Sequence, residues 1–320
     1  MPQTEWQSIQ SIAMRINSAA EFEALMNEID EHLQRNDAPM YGRELRVMQE
    51  VARRLSQSFP LSGPFGFKPI EGLYIGPSLV GHVNAWLQRR YGDRLKVDMC
   101  FGYTAILLRS DAWLMRIPLV LGSFQVIAER DLSKTYPTAV VYKPGSTQKL
   151  TVSVLPTIRD LPQGLANALT DAELGIVLSN FLESFHAFRF LDAKRKANGL
   201  AMAAAEDLTQ SAKKAAGSPD EYGMSRWDAL QGAEKALKLL LESKNVAFPK
   251  GRNGHDLKVL MGLALPVGMP PEAAELVDHV QCDAAVRYER RSHRRDDAIR
   301  AHRAAISIVR AVARTLSYPA

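Results

Sequence analysis

Apolar residues recur at three- and four-residue steps through most of the chain, and this spacing predicts helices. Phe22, Leu25, Met26, Ile29 and Leu33 form one such stripe, and Leu45, Met48, Val51, Ala52 and Leu55 form a second. Asn36-Asp37-Ala38-Pro39 breaks the two apart. The Pro/Gly-punctuated stretch from Pro60 to Pro77 reads as loop, and Ser78 reads as the N-cap of a helix through Val80, Val83 and Leu87 that closes at Tyr91-Gly92. From Leu95 to Ala128 the texture becomes β-branched and aromatic, which predicts three strands with the middle turn at Ser110-Asp111. A further hairpin is expected over Ala139 to Val154, turning at Pro144-Gly145-Ser146.

After Asp160-Leu161-Pro162 the helical period returns. Leu174, Val177, Leu178, Phe181, Leu182, Phe185 and Phe188 stripe a long helix from Asp171 to about Lys196, whose basic last turn complements the helix dipole. Helices are then expected over Leu200–Ala216, Arg226–Asn245, from His255-Asp256-Leu257 onward, near Pro271–Val280, and in the final stretch of Val286–Leu316. In the Arg226 helix, Glu234 and Lys238 form an i,i+4 pair expected on the exposed side. Asp256 reads as a helix cap, and His255 and His302 as packing residues. The fold class is therefore α+β, in three parts. Residues 1–158 form a mixed helix and antiparallel-sheet module, 159–198 a connecting long helix, and 199–320 an all-α bundle.

Composition narrows the setting. With 46% hydrophobic and 23% charged residues the chain is that of an ordinary globular protein, long enough for two cores. Cys100 and Cys282 have no metal or disulfide spacing, which favours a reducing compartment. Neither a secretion signal nor a bilayer-length apolar run is evident, so the reading is cytoplasmic, without a membrane partner. His279, Asp283 and His293 match no standard metal site, and Gly63-Pro64-Phe65-Gly66 lacks the Lys-Ser/Thr of a phosphate-cradling loop. No cofactor is expected.

The net charge of +5 is unevenly placed. Between Ala285 and Arg314 nine arginines face Glu289, Asp296 and Asp297, which leaves +6 in this window and about −1 elsewhere. Every lysine-or-arginine position in the window is arginine, the residue suited to bidentate contact with phosphate.

Ala233-Glu234-Lys235-Ala236-Leu237-Lys238, the His255-Asp256-Leu257 turn, Arg287-Tyr288 and the Ala-rich final helix together resemble the HEPN family, small all-α bundles that bind nucleotides or RNA. The resemblance covers roughly the last third of the chain. It implies a bundle of four or five helices, homodimerisation, and RNA or nucleotide binding by Arg287, Arg290, Arg291, Arg294 and Arg295. In active members an Arg followed four to six residues later by a His marks a metal-independent endoribonuclease of bacterial defence and toxin systems. Arg287 and His293 fit that spacing. The resemblance gives the histidine the proton transfers and the arginine the charge on the scissile phosphate. Six positions on a regular helix turn through about 600°, so the two converge where the helix start is irregular or across a dimer. Tyr288 after the arginine is more typical of the nucleotide-binding or dimerising branch. The alternative is a non-catalytic dimerising adaptor whose N-terminal module recognises a ligand or protein.

Overall fold

The structure, a computed structural model, describes residues 15–38, 40, 43–56, 67–95, 100–120, 124–134, 150–288 and 293–318. It divides into two units, Met1–Asp98 and Met99–Ala320.

In the first unit the expected stripes become α1 (Ala19–Arg35) and α2 (Arg43–Leu55), followed by α3 (Gly76–Tyr91). Phe22, Met26 and Ile29 of α1 bury against Val47 and Val51 of α2 and Leu79, Val83 and Trp86 of α3 in one apolar core. Ser18 starts α1 by accepting the Glu21 amide at 3.2 Å. Ser78 is not the cap of α3. The helix begins two residues earlier with Pro in its first turn, and the Ser78 hydroxyl instead accepts the Ile70 amide at 2.8 Å.

The apolar stripe of α1 is interrupted by Asp30, which is 1% exposed. It accepts from Gln34 at 2.7 Å, Arg90 at 3.2 Å, Arg43 at 3.4 Å and the Tyr91 hydroxyl. Arg43 is itself buried and also donates to the Ala38 carbonyl at 2.6 Å. One carboxylate thus ties α1 to the start of α2 and the end of α3.

In the second unit, β1 (Cys100–Leu108) and β2 (Asp111–Pro118) form an antiparallel hairpin. Its two-residue turn is Arg109-Ser110, both at positive φ, one position earlier than the sequence predicts. Such turns match the twist of the strands. β3 (Phe124–Ile127) and β4 (Leu150–Ser153) pair in parallel, so the strand region is not wholly antiparallel. The expected turn at Pro144-Gly145-Ser146 lies outside the described residues. Then follow α4 (Gln163–Ala168), α5 (Asp171–Lys194), α6 (Gly199–Ala215), α7 (Tyr222–Ser243), α8 (Leu257–Ala264), α9 (Glu272–Val280) and α10 (Arg295–Thr315). Asp256 caps α8 as expected, accepting the Lys258 amide at 2.8 Å.

The strands belong with the helices that follow them, which moves the division of the chain from about residue 158 to about residue 98. Ile106, Met115 and Ile117 share a core with Phe181 and Phe185 of α5. Ala105 and Leu114, out of phase by one, pack instead with Ala212 and Ala215 of α6 and with Ala298 and Ile299 of α10. The hairpin is covered on both faces. At Gly102 of β1, an added Cβ would lie 2.4 Å from the Phe188 ring, so the glycine is what lets the strand approach α5. Nor is α5 a connector. Phe181, Phe185, Phe188 and Phe190 are all fully buried, as in a helix packed from several sides.

Candidate functional site

The residues singled out by sequence gather at the first turns of α7. Gly223 makes this possible. A Cβ there would stand 2.2 Å from the Val286 carbonyl oxygen and 2.8 Å from Cδ2 of His293, so Val286 and His293 lie directly on the α7 backbone. Arg287 is in a short 3₁₀ turn, Ala284–Arg287, and α10 starts only at Arg295. Arg287 and His293 therefore do not share a regular helix, and the 120° separation of an ideal helix does not apply to them.

They dock on adjacent residues of α7. The Arg287 guanidinium lies over the Trp227 ring, 4.4 Å from its centroid, and 5.2 Å from the centroid of Tyr288. Its Nε donates to the Ala284 carbonyl at 3.2 Å. His293 Nδ1 stands 3.3 Å from Nη1 of Arg226. A guanidinium can only donate, so Nδ1 is the acceptor in this contact. Tyr288 is 77% exposed, an aromatic face held in water beside a cation.

The other predicted arginines diverge. Arg290 and Arg291 lie outside the described residues. Arg294 is exposed and 3.8 Å from Asp296. Arg295 is committed to the hairpin turn, donating to the Ser110 carbonyl and to Asp111 at 3.3 Å. It anchors the start of α10 to the hairpin turn.

The residues that carry the family resemblance have a structural task. Glu234 is not on an exposed side; it is 3% exposed. It accepts from Lys238 Nζ at 2.7 Å and faces His255 Nδ1 at 3.0 Å, latching α7 to the turn before α8. His302 is also a packing residue, wholly buried within a chain of hydroxyls. Ser184 donates to Thr104 at 2.9 Å, Thr104 meets His302 Nε2 at 3.0 Å, and His302 Nδ1 meets Ser211 at 3.2 Å. Burial, with Arg303 nearby, pushes the His302 pKa down to about 3, so the imidazole is neutral. Cys282 is raised to about 11 by burial, which leaves an inert thiol. Among the described residues no three His, Cys, Asp or Glu side chains gather to hold a metal, and no helix is long and apolar enough to cross a membrane.

Sequence reasoning missed two features. Trp227 partners Arg287 from sixty residues upstream, and nothing local signals that contact. The stripe Arg300, Arg303, Ser307, Arg310 and Arg314 was counted as charge but not as a face, although its alternating three- and four-residue steps are legible. No protein-family model matches the chain, and no curated protein or solved structure matches it.

Proposed function

We propose that the second unit carries a HEPN-like helical bundle that binds RNA at the Trp227–Arg287–Tyr288 stack. The observation that carries this reading is the exposed Tyr288 ring beside a guanidinium already fixed on Trp227. An aromatic face in water takes a nucleobase without regard to its identity, and stacking of this kind contributes roughly 1–3 kcal/mol per base. Arg287 beside it neutralises the adjoining phosphate, and Arg290, Arg291 and Arg294 continue the basic tract. The order of α6, α7, α8, α9 and α10, with the Glu234–Lys238 motif on the second of these and the His255 turn before the third, supports the family reading.

Cleavage is the narrower form of the same proposal. The ribose 2′-oxygen attacks the neighbouring phosphorus, the bond to the 5′-oxygen breaks, and a 2′,3′-cyclic phosphate and a 5′-hydroxyl result. His293 exchanges the two protons and Arg287 stabilises the charge on the phosphate. A second copy of the chain brings a second Arg287–His293 pair to the interface.

The test is fluorescence anisotropy with a labelled single-stranded RNA, titrated at several salt concentrations. Wild type binds with an affinity that falls steeply with salt, and Arg287→Ala and Tyr288→Ala each weaken it at least tenfold, in line with about 1–3 kcal/mol. The same RNA is incubated with EDTA to look for cleavage that His293→Ala abolishes. Absence of salt-dependent binding sinks the proposal and leaves the adaptor. Binding without cleavage sinks the nuclease step alone.

A further inference from the structure

The outward stripe of α10 does not face the Trp227–Arg287 site. It borders a cleft whose other walls are α5 and α9. The larger cavity of this cleft, about 450 Å³, lies at the Arg300–Arg303 end, and its volume falls within the roughly 300–1,000 Å³ of small-molecule sites. Its apolar lining is aliphatic, with Leu107 of β1, Leu276 of α9 and Ile299 of α10. Leu107 is 38% exposed, a large aliphatic side chain left in water at the cavity wall.

The charge of this cavity is balanced, with Glu183 and Asp296 beside Arg300 and Arg303. Equal numbers of both signs offer no net pull to a dianion or a dication. Two of the four are already committed, because Arg300 stands 3.8 Å from Asp297 and Asp296 stands 3.8 Å from Arg294. The other two, Glu183 and Arg303, have no ion-pair partner among the described residues. Glu183 is half-buried on α5, and its Oε1 accepts the Ser307 hydroxyl of α10 at 2.6 Å. Ser307 follows Arg303 by four residues, which is about 6 Å along the helix axis. An anchored carboxylate and a guanidinium therefore stand about one helical turn apart beside an aliphatic wall.

We infer that this cavity binds a free α-amino acid with an aliphatic side chain. Its ammonium group meets Glu183, its carboxylate meets Arg303, and its side chain lies on Leu107, Leu276 and Ile299. An α-amino acid carries both charges on one carbon, which suits counter-groups about one turn apart. In an extended peptide each added residue moves the terminal charges apart by about 3.3–3.6 Å, so the spacing favours a single residue. The guanidinium fork matches a carboxylate, and both contacts are charge-assisted. A nucleic-acid strand fits less well, because Glu183 and Asp296 repel phosphate and the lining includes no Phe, Tyr or Trp on which bases could stack. The site shares no residue with the RNA-binding stack, so either proposal can fail without the other.

Isothermal titration of the full chain with L-leucine tests the inference. Leucinamide, 4-methylpentanoate and glycine are separate arms that lack the carboxylate, the ammonium group and the side chain in turn, and leucyl-leucine is a fourth. Leucine saturates a single site, and each of the four others binds at least tenfold more weakly. Glu183→Gln and Arg303→Gln each weaken leucine by about tenfold, as expected for loss of a charge-assisted contact. Tyr288→Ala leaves leucine binding unchanged. Lack of saturation up to the solubility of leucine overturns the inference, as does leucinamide or 4-methylpentanoate binding as tightly as leucine. Binding that both variants leave intact also overturns it. Tighter binding of leucyl-leucine would make the occupant a peptide and the free amino acid assignment wrong. If the two variants weaken RNA as much as leucine, the cleft is part of an RNA track and the assignment is again wrong.

Discussion

Replacing Gly223 with alanine separates the candidate site from the stability of the fold. The added Cβ would stand 2.2 Å from the Val286 carbonyl oxygen, where ordinary contact begins near 3.4 Å, so about 1.2 Å must be recovered. That oxygen is backbone and cannot swing aside as a long side chain would. The Ala284–Arg287 turn has to move as a body, and with it the Arg287 guanidinium over Trp227. Overpacking of this kind costs about 1–3 kcal/mol. Alanine is the better helix former by up to about 1 kcal/mol, less in a first turn, so the net loss of global stability is about 1–2 kcal/mol. Displacing the stack should cost RNA affinity about as much as removing Tyr288 does. Hydrogen exchange read by mass spectrometry should show faster exchange at 284–288, unchanged exchange in the middle of α10, and RNA affinity lower by about tenfold. Unchanged exchange at 284–288 together with wild-type RNA binding would refute the steric argument. Global unfolding would show instead that the α7–α10 contact holds the whole unit.

Two further outcomes follow from buried polar groups. His302 has its pKa depressed in the folded state, so the unfolded chain takes up a proton first as pH falls; its contribution is intact above pH 6.5 and declines towards about 3, by about 1.4 kcal/mol per pH unit within that window. Urea melts of His302→Gln and wild type at a series of pH values should differ in acid slope by about one proton, and parallel slopes would remove His302 as the cause. In the first unit, Asp30→Leu leaves the buried Arg43 without its carboxylate and should destabilise α1–α3 by about 3–5 kcal/mol, whereas Asp30→Leu with Arg43→Met should recover most of that. Local exchange of the α1 and α3 amides reads both variants, and a double variant no better than the single one would show that the pair is not energetically coupled.

The helical elements were largely legible because their stripes are long and periodic: α1, α5, α6 and the cap of α8 lie within a few residues of where the pattern puts them. The assignment of strands to a unit was not legible. Alternation along β1 and β2 says that both faces are mostly apolar, but only the folded chain says that α5 covers one face while α6 and α10 cover the other. Glu234 shows the same limit at one residue. An i,i+4 acid–base pair reads as solvent-exposed, and the burial of its carboxylate depends on His255, twenty-one positions away.

The candidate site was legible in its charge and illegible in its geometry. Counting arginines marks the segment from Arg287 onward, yet those arginines have at least three different fates. Arg287 stacks on Trp227, Arg295 is spent on the hairpin turn, and Arg303, Arg310 and Arg314 face a cleft elsewhere on α10. The difference follows from helical phase. Once α10 starts at Arg295, positions 300, 303, 307, 310 and 314 fall on one stripe, while 298, 301, 302, 305, 309 and 312 are buried. Val286, Arg287 and His293, ahead of α10, obey no such period and are placed by Gly223, Arg226 and Trp227 of α7. A single run of basic sequence is therefore divided between two surfaces, and net charge alone would assign both to one ligand.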